Sequence, residues 1–124
     1  MANFHGDIGD GKFGVMSAEQ VRDMVISKSG LKPTKEWKGH CTTAINKIIS
    51  DPLAQPCGDY KYQALTVYHA SSGVGPTKGC TLFYVVRSGD VIKIVGCGYH
   101  VGQQTYDIDW KESGWCNANR LTLD

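Results

Sequence analysis

Residues 81–101, TLFYVVRSGDVIKIVGCGYHV, hold most of the side chains in this chain whose types suit chemistry. Leu82, Phe83, Val85, Val86, Ile92, Ile94 and Val95 read as core, so Arg87, Lys93, Tyr99 and His100 stand out against an apolar background. An imidazole gives or takes a proton near neutral pH, and a guanidinium or ammonium group stabilises developing negative charge. His100 follows Gly96 and Gly98, where the missing side chains let another group approach the backbone closely. A ligand-facing position fits it. Lys93 also fits a plainer reading, a cation that faces outward and guards a strand edge. His69, in another β-rich run, is either a structural histidine or a second proton-transfer group. Lys78 lies in the glycine-rich residues 73–79, where a mobile cation can close on an anion or simply face solvent.

Other groups point to no cofactor. The five cysteines, Cys41, Cys57, Cys80, Cys97 and Cys116, are odd in number and include no C-x-x-C pair, so reduced thiols packed as small hydrophobes are expected. Cys97 and His100 have a C-x-x-H spacing but no second clamp to complete a zinc site, and Asp107 and Asp109 share a strand face without a third ligand. The glycines form no G-x-G-x-x-G between strand and helix, so no nucleotide cofactor is expected.

The elements that must position these groups follow from pattern. Ser17 and Gln20 form a capping box ahead of residues 18–29, where Val21, Met24 and Val25 share a face until Gly30. Pro33 and Thr34 open a second helix with Trp37, Cys41, Ala44, Ile45, Ile48 and Ile49 at spacings of three and four, ended by Asp51-Pro52. Beyond Pro56-Cys57-Gly58 the period changes, and residues 62–68, 81–87, 91–97 and 106–110 read as strands. Ser88-Gly89-Asp90 reads as a tight hairpin turn. Trp110 and Trp115 are expected to pack against the sheet. The expected architecture is α+β: two N-terminal helices packed on a roughly four-stranded antiparallel sheet, in one domain over residues 1–124 with residues 1–16 as an irregular arm.

The net charge of +1 conceals a gradient: −1 over residues 1–30, +3 over 31–50, +1 over 51–100 and −2 over 101–124. So weak a total excludes a nucleic-acid packaging protein, while the basic middle suits either a polyanion or a solvated helix face. No apolar run approaches the ~18–20 residues that span a bilayer, and no basic-then-apolar leader begins the chain. A soluble, cytoplasmic protein without membrane partners is expected.

The helix, helix, sheet order, the helix exit Ala44-Ile45-Asn46-Lys47-Ile48-Ile49-Ser50-Asp51-Pro52-Leu53, the aromatic hairpin of residues 80–94 and Cys97-Gly98-Tyr99-His100 together resemble the RelE/ParE-like toxin superfamily, ribonucleases that share a fold with barnase-like, EndoU-type and colicin-type toxins. The similarity covers about residues 40–101. It implies a metal-independent endoribonuclease toxin that cleaves a discrete RNA, such as a tRNA, by attack of the 2′-OH. By this resemblance His100 is the general acid or base, Arg87 and Lys93 stabilise the phosphorane, and His69 takes the second proton role. Tyr106 or Tyr99 stacks on a base or relays a proton, and Lys78 helps to bind substrate. It also implies bacterial competition, an acidic immunity protein or antitoxin as partner, and action in the cytoplasm of the producer or of a target cell after delivery.

Two other readings stand beside it. Cys41, if it opened its helix, would have a thiol activated by the helix dipole, and with His100 as base would form a papain-like or NlpC-type amidase. On the apolar stripe between Trp37 and Ile45 it is instead a packed, inert thiol. A noncatalytic binding module is the remaining alternative.

Overall fold

A computed structural model describes residues 3–4, 17–87, 91–103, 105–113 and 120–122. Helix α1 (Ala18–Ser29) begins at the expected capping box: the Ser17 hydroxyl accepts the Gln20 N–H at 3.1 Å, and the Gln20 side chain accepts the Ser17 N–H at 2.9 Å. Two donors that a helix start leaves orphaned are thereby satisfied. It stops at Gly30, whose φ of 70° is left-handed. Helix α2 (Lys35–Ser50) is capped by Thr34, whose hydroxyl accepts from the Trp37 N–H and donates to the Thr77 carbonyl at 2.8 Å. Gly39 inside α2 costs roughly 1 kcal/mol against alanine. The buried stripe of Trp37, Cys41, Ala44, Ile45 and Ile48 outweighs it, since each large apolar side chain buried contributes about 1.5–3 kcal/mol.

The strands are β1 (Asn3–Phe4), β2 (Pro56–Tyr62), β3 (Leu65–Ser72), β4 (Cys80–Arg87), β5 (Val91–Gly102), β6 (Thr105–Lys111) and β7 (Arg120–Thr122). They form one sheet in the order β2-β3-β4-β5-β6-β7 with antiparallel neighbours, and β1 lies parallel to the start of β5. The α+β class holds, but the sheet is larger than the four strands expected. The run at residues 62–68 is in fact a strand end, a turn and a strand start. Gln63 and Ala64 take φ of 47° and 69°, the left-handed conformations of a tight hairpin, without the Asn-Gly or Asp-Gly pair that announces one. Asn3 and Phe4 of the expected arm are a strand, while residues 5–16, the Ser88-Gly89-Asp90 turn, Trp115 and Cys116 lie outside the described residues.

The sheet has two buried faces. Towards the helices, Val21, Val25, Trp37 and Ile45 meet Leu82, Tyr84, Ile92 and Ile94, with Trp110 packed at the margin. On the opposite face Cys57, Tyr62, Val67, Phe83, Val85, Val95 and Tyr106 form a second cluster. Cys41, Cys57, Cys80 and Cys97 are all buried thiols, as expected of small hydrophobes.

One irregularity decides which side chains share a face. Phe83 pairs with Gly96 and Tyr84 with Ile94, so Val95 is an extra residue in β5. Before this bulge Ile92 and Ile94 point to the helices; after it Cys97 does, with Tyr99 packed beside that cluster. The alternation is inverted by one step. Lys93 and His100, an odd number of positions apart, therefore both project from the face away from the helices. A second shift at Gly98 brings the β6 backbone so close that a Cβ there would collide with the Asp107 carbonyl.

Candidate active site

His100 comes from the second half of β5, opposite Tyr106 of β6. Its ring is half-buried and stacks on Tyr106, with centroids 4.9 Å apart and planes 11° from parallel. Nδ1 lies 2.8 Å from the Gly73 carbonyl. A carbonyl only accepts, so Nδ1 carries the hydrogen, and Nε2 is the nitrogen that accepts in the neutral ring. Gly73 is suited to this anchoring because its φ of 73° is left-handed and the His40 ring occupies the place of a Cβ. His40 is held in turn by Ser72, with Nδ1 2.9 Å from the hydroxyl. The backbone repeats the tie: Gly75 N–H donates to the His100 carbonyl and His100 N–H to the Gly79 carbonyl. His100, Tyr106, Gln55, Ser71, Val74 and Gln103 line a cavity of about 460 Å³.

Tyr106 links His100 to His69. Its hydroxyl is 3.4 Å from His69 Nε2, and the rings meet edge to face at 5.1 Å. β3 and β6 are three strand spacings of about 4.8 Å apart, so the meeting needs long side chains on a sheet curled towards this face. His69 is 7% exposed, with Nδ1 3.4 Å from Cys57 Sγ and its N–H donated to the Gln55 carbonyl. Burial lowers its pKa from 6.5 to about 4, helped by the nearby His100 and opposed by the backbone contact with Gln55. His69 is thus a neutral ring across the physiological range. Burial raises the Tyr106 phenol, and a hydrogen bond with Ser71 partly offsets this.

The expected cations are not gathered around His100. Lys93 lies seven positions back along β5, about 20 Å at ~3.3 Å per residue with the bulge allowed for. Its ammonium is committed there, 3.2 Å from the Glu112 carboxylate, 3.2 Å from the Tyr62 hydroxyl and 5.2 Å above the Tyr62 ring. Glu112 Oε2 makes no hydrogen bond, so its contact with Lys93 is coulombic and off-angle. Arg87 is farther still, at the end of β4 opposite Val91. Neither the edge-guard reading of Lys93 nor its phosphate-stabilising role matches this buried ion pair. Tyr99 faces the helices, 6.3 Å from Trp37, rather than the His100 cavity. Lys78 is exposed beside the start of α2: the Glu36 carboxyl there is held low first by its own backbone N–H and further by Thr34 and Lys78.

A different ammonium is tied to the wall of this cavity. Lys47 Nζ, from the last turn of α2, donates at 2.7 Å to the carbonyl of Ser71, a residue that lines the His100 cavity. Nothing in its sequence position, on the polar side of an amphipathic helix, marks that reach to β3. Gln55 and Ser71 were likewise unmarked, because each joins the site through a backbone carbonyl whose partner is set only once the chain around β3 is folded.

Cys41 is fully buried beneath Trp37 and lines neither described cavity, which supports the packed thiol over the nucleophile. Among the described residues no group of three or more His, Cys, Asp or Glu side chains is placed to hold a metal ion, and no helix is long and apolar enough to cross a membrane. No protein-family model, curated protein or solved structure matches the chain.

Proposed function

We propose that this chain is a metal-independent endoribonuclease of the toxin type, cleaving a discrete RNA such as a tRNA by attack of the 2′-OH on the adjacent phosphate. The observation that carries the reading is His100: an imidazole fixed through Nδ1 on a backbone carbonyl, with Nε2 left for a substrate in the adjoining cavity. A fixed tautomer and a stacked ring are what a positioned general base or acid requires. Tyr106, whose hydroxyl reaches His69 and Ser71, is the second proton carrier in this reading. His69 becomes a positioning residue for Tyr106, since a neutral buried ring holds a phenol better than it supplies a proton. Lys47 takes the charge-stabilising role first assigned to Arg87 and Lys93, and Lys78 remains a cation for the flanking backbone. The partner consistent with a cytoplasmic toxin is an acidic immunity protein or antitoxin covering the His100 cavity.

The test is cleavage of total and transfer RNA by the purified protein in a metal chelator. The expected products carry 2′,3′-cyclic phosphate and 5′-hydroxyl ends, and His100→Ala lowers the rate by about 10²–10⁴-fold while unfolding stays cooperative. Undiminished cleavage by that variant overturns the assignment.

A further inference from the structure

A second cavity, of about 540 Å³, lies between α2, the 51–55 turn and the outer edge of β3. It shares Gln55 and Ser71 with the His100 cavity, so the two adjoin, with those residues as the saddle between them. Ala70, His69 and Tyr84 are among its lining residues, and the buried Tyr84 is held by its hydroxyl's 2.6 Å bond to the Pro52 carbonyl. Asn46 and Gln55 present exposed amides at the rim. The volume falls within the ~300–1,000 Å³ of small-ligand sites, and an apolar floor with a few polar groups is their usual lining.

The strand edge indicates what kind of ligand fits. His69 sends its N–H outward to Gln55, so Ser71, two residues on, also directs its amide and carbonyl away from β4. The Ser71 carbonyl is taken by Lys47, and the Gly73 carbonyl, next in that row, is taken by His100. One outward residue is too short a ladder for an added peptide strand. A main-chain amide and two side-chain amides beside a largely apolar wall instead match the alternating donors and acceptors on the edge of a small planar heterocycle.

We propose that the cavity between α2 and the β3 edge is a nucleobase subsite, in which Asn46, Gln55 and the Ser71 backbone read the base of the nucleotide whose phosphate lies at His100. The proposal rests on the ribonuclease reading for its phosphate and names that enzyme's specificity element. The sugar crosses the Gln55 and Ser71 saddle, and Lys47 faces the backbone at the crossing.

Two measurements test it. Amide and side-chain resonances of the His100→Ala protein are followed as each of the four nucleoside 3′-monophosphates is added. Shifts at Asn46, Gln55, Ser71 and Ala70 that favour one base support the subsite. Base preference of cleavage is then measured for Asn46→Ala, on the exposed face of α2, and for Ala54→Trp, which fills the cavity from its rim. Asn46→Ala should reduce discrimination between bases at least tenfold, and Ala54→Trp should raise KM at least tenfold with a smaller change in kcat. If RNA is cleaved by wild type but neither variant alters preference or KM, the subsite is overturned and the ribonuclease reading stands. If nucleotides shift these resonances but no RNA is cleaved, the subsite stands and the ribonuclease reading falls. Shifts produced by an extended peptide and by no nucleotide overturn the subsite in favour of strand addition.

Discussion

At one end of β5 the Lys93 ammonium is shut in with a carboxylate, a phenol and an aromatic face; at the other, on the same face of the same strand, His100 has one nitrogen tied to a carbonyl and the other left beside a cavity. A charge with all its partners inside the protein is part of the scaffold. A polar group half-satisfied by the protein and half-open to a cavity is free to act on something else. Residue type does not distinguish the two ends, since a lysine and a histidine both suit phosphate chemistry. The number of internal partners does.

The sharpest way to break this comparison is at the lysine. Lys93→Met leaves the Glu112 carboxylate without its counter-ion and should cost about 3–5 kcal/mol in denaturant unfolding, with Lys93→Met/Glu112→Met recovering most of that. A stable single variant that had lost RNA cleavage would instead return Lys93 to the site. Next in size is a pH effect from His69. Its folded pKa of about 4 lies below the ordinary 6.5, so the folded chain binds fewer protons between those values. The contribution is complete above pH 6.5 and is lost as pH falls from there towards 4, up to about 3 kcal/mol. His69→Gln should flatten that slope in stability curves between pH 7 and 4.5, and an unchanged slope would show that His69 does not cause it.

Gly73→Ala comes third. It forces a side chain into a left-handed backbone against the His40 ring, at about 1–3 kcal/mol. Because the Gly73 carbonyl fixes His100, cleavage should also fall by about 10- to 100-fold; normal activity in this variant would mean that the anchor is dispensable. The smallest effect is expected at Arg87, on the Lys93 side of the molecule. Arg87→Ala should leave stability within about 0.5 kcal/mol and cleavage unchanged, and a large loss of activity would restore the cationic cluster first drawn around His100.

Much of the helical layer was legible in advance. Ser17 with Gln20, Gly30 and Thr34 are local signals that work through bonds between near neighbours, and α1 and α2 begin and end where they indicate. The strand content was visible as composition, but the β2–β3 turn was not. Gln63 and Ala64 hold strained conformations because the paired strands on either side require them, a force absent from the local sequence. At the candidate site, His100, His69 and Tyr106 were all named from type and place, and the fold brings those three together. Arg87, Lys93 and Tyr99 were grouped with them by nearness in sequence, which along an extended strand means distance in space.

The sequence alone determined two capped amphipathic helices, a β-rich remainder, and an imidazole among glycines in a strand, because each depends on side chains within a few residues of one another. Only the tertiary structure decided what faces what. The extra residue at Val95 inverts the alternation of β5 and turns His100 to the face of Tyr106 and Tyr99 to the helices. A strict two-residue period places them the other way round, and a bulge exists only in relation to the strand that pairs with it. The partners that set Lys93 and His100 apart, Glu112 and Gly73, are supplied by other parts of the chain. Their effect depends on distance through the fold, which no local pattern encodes.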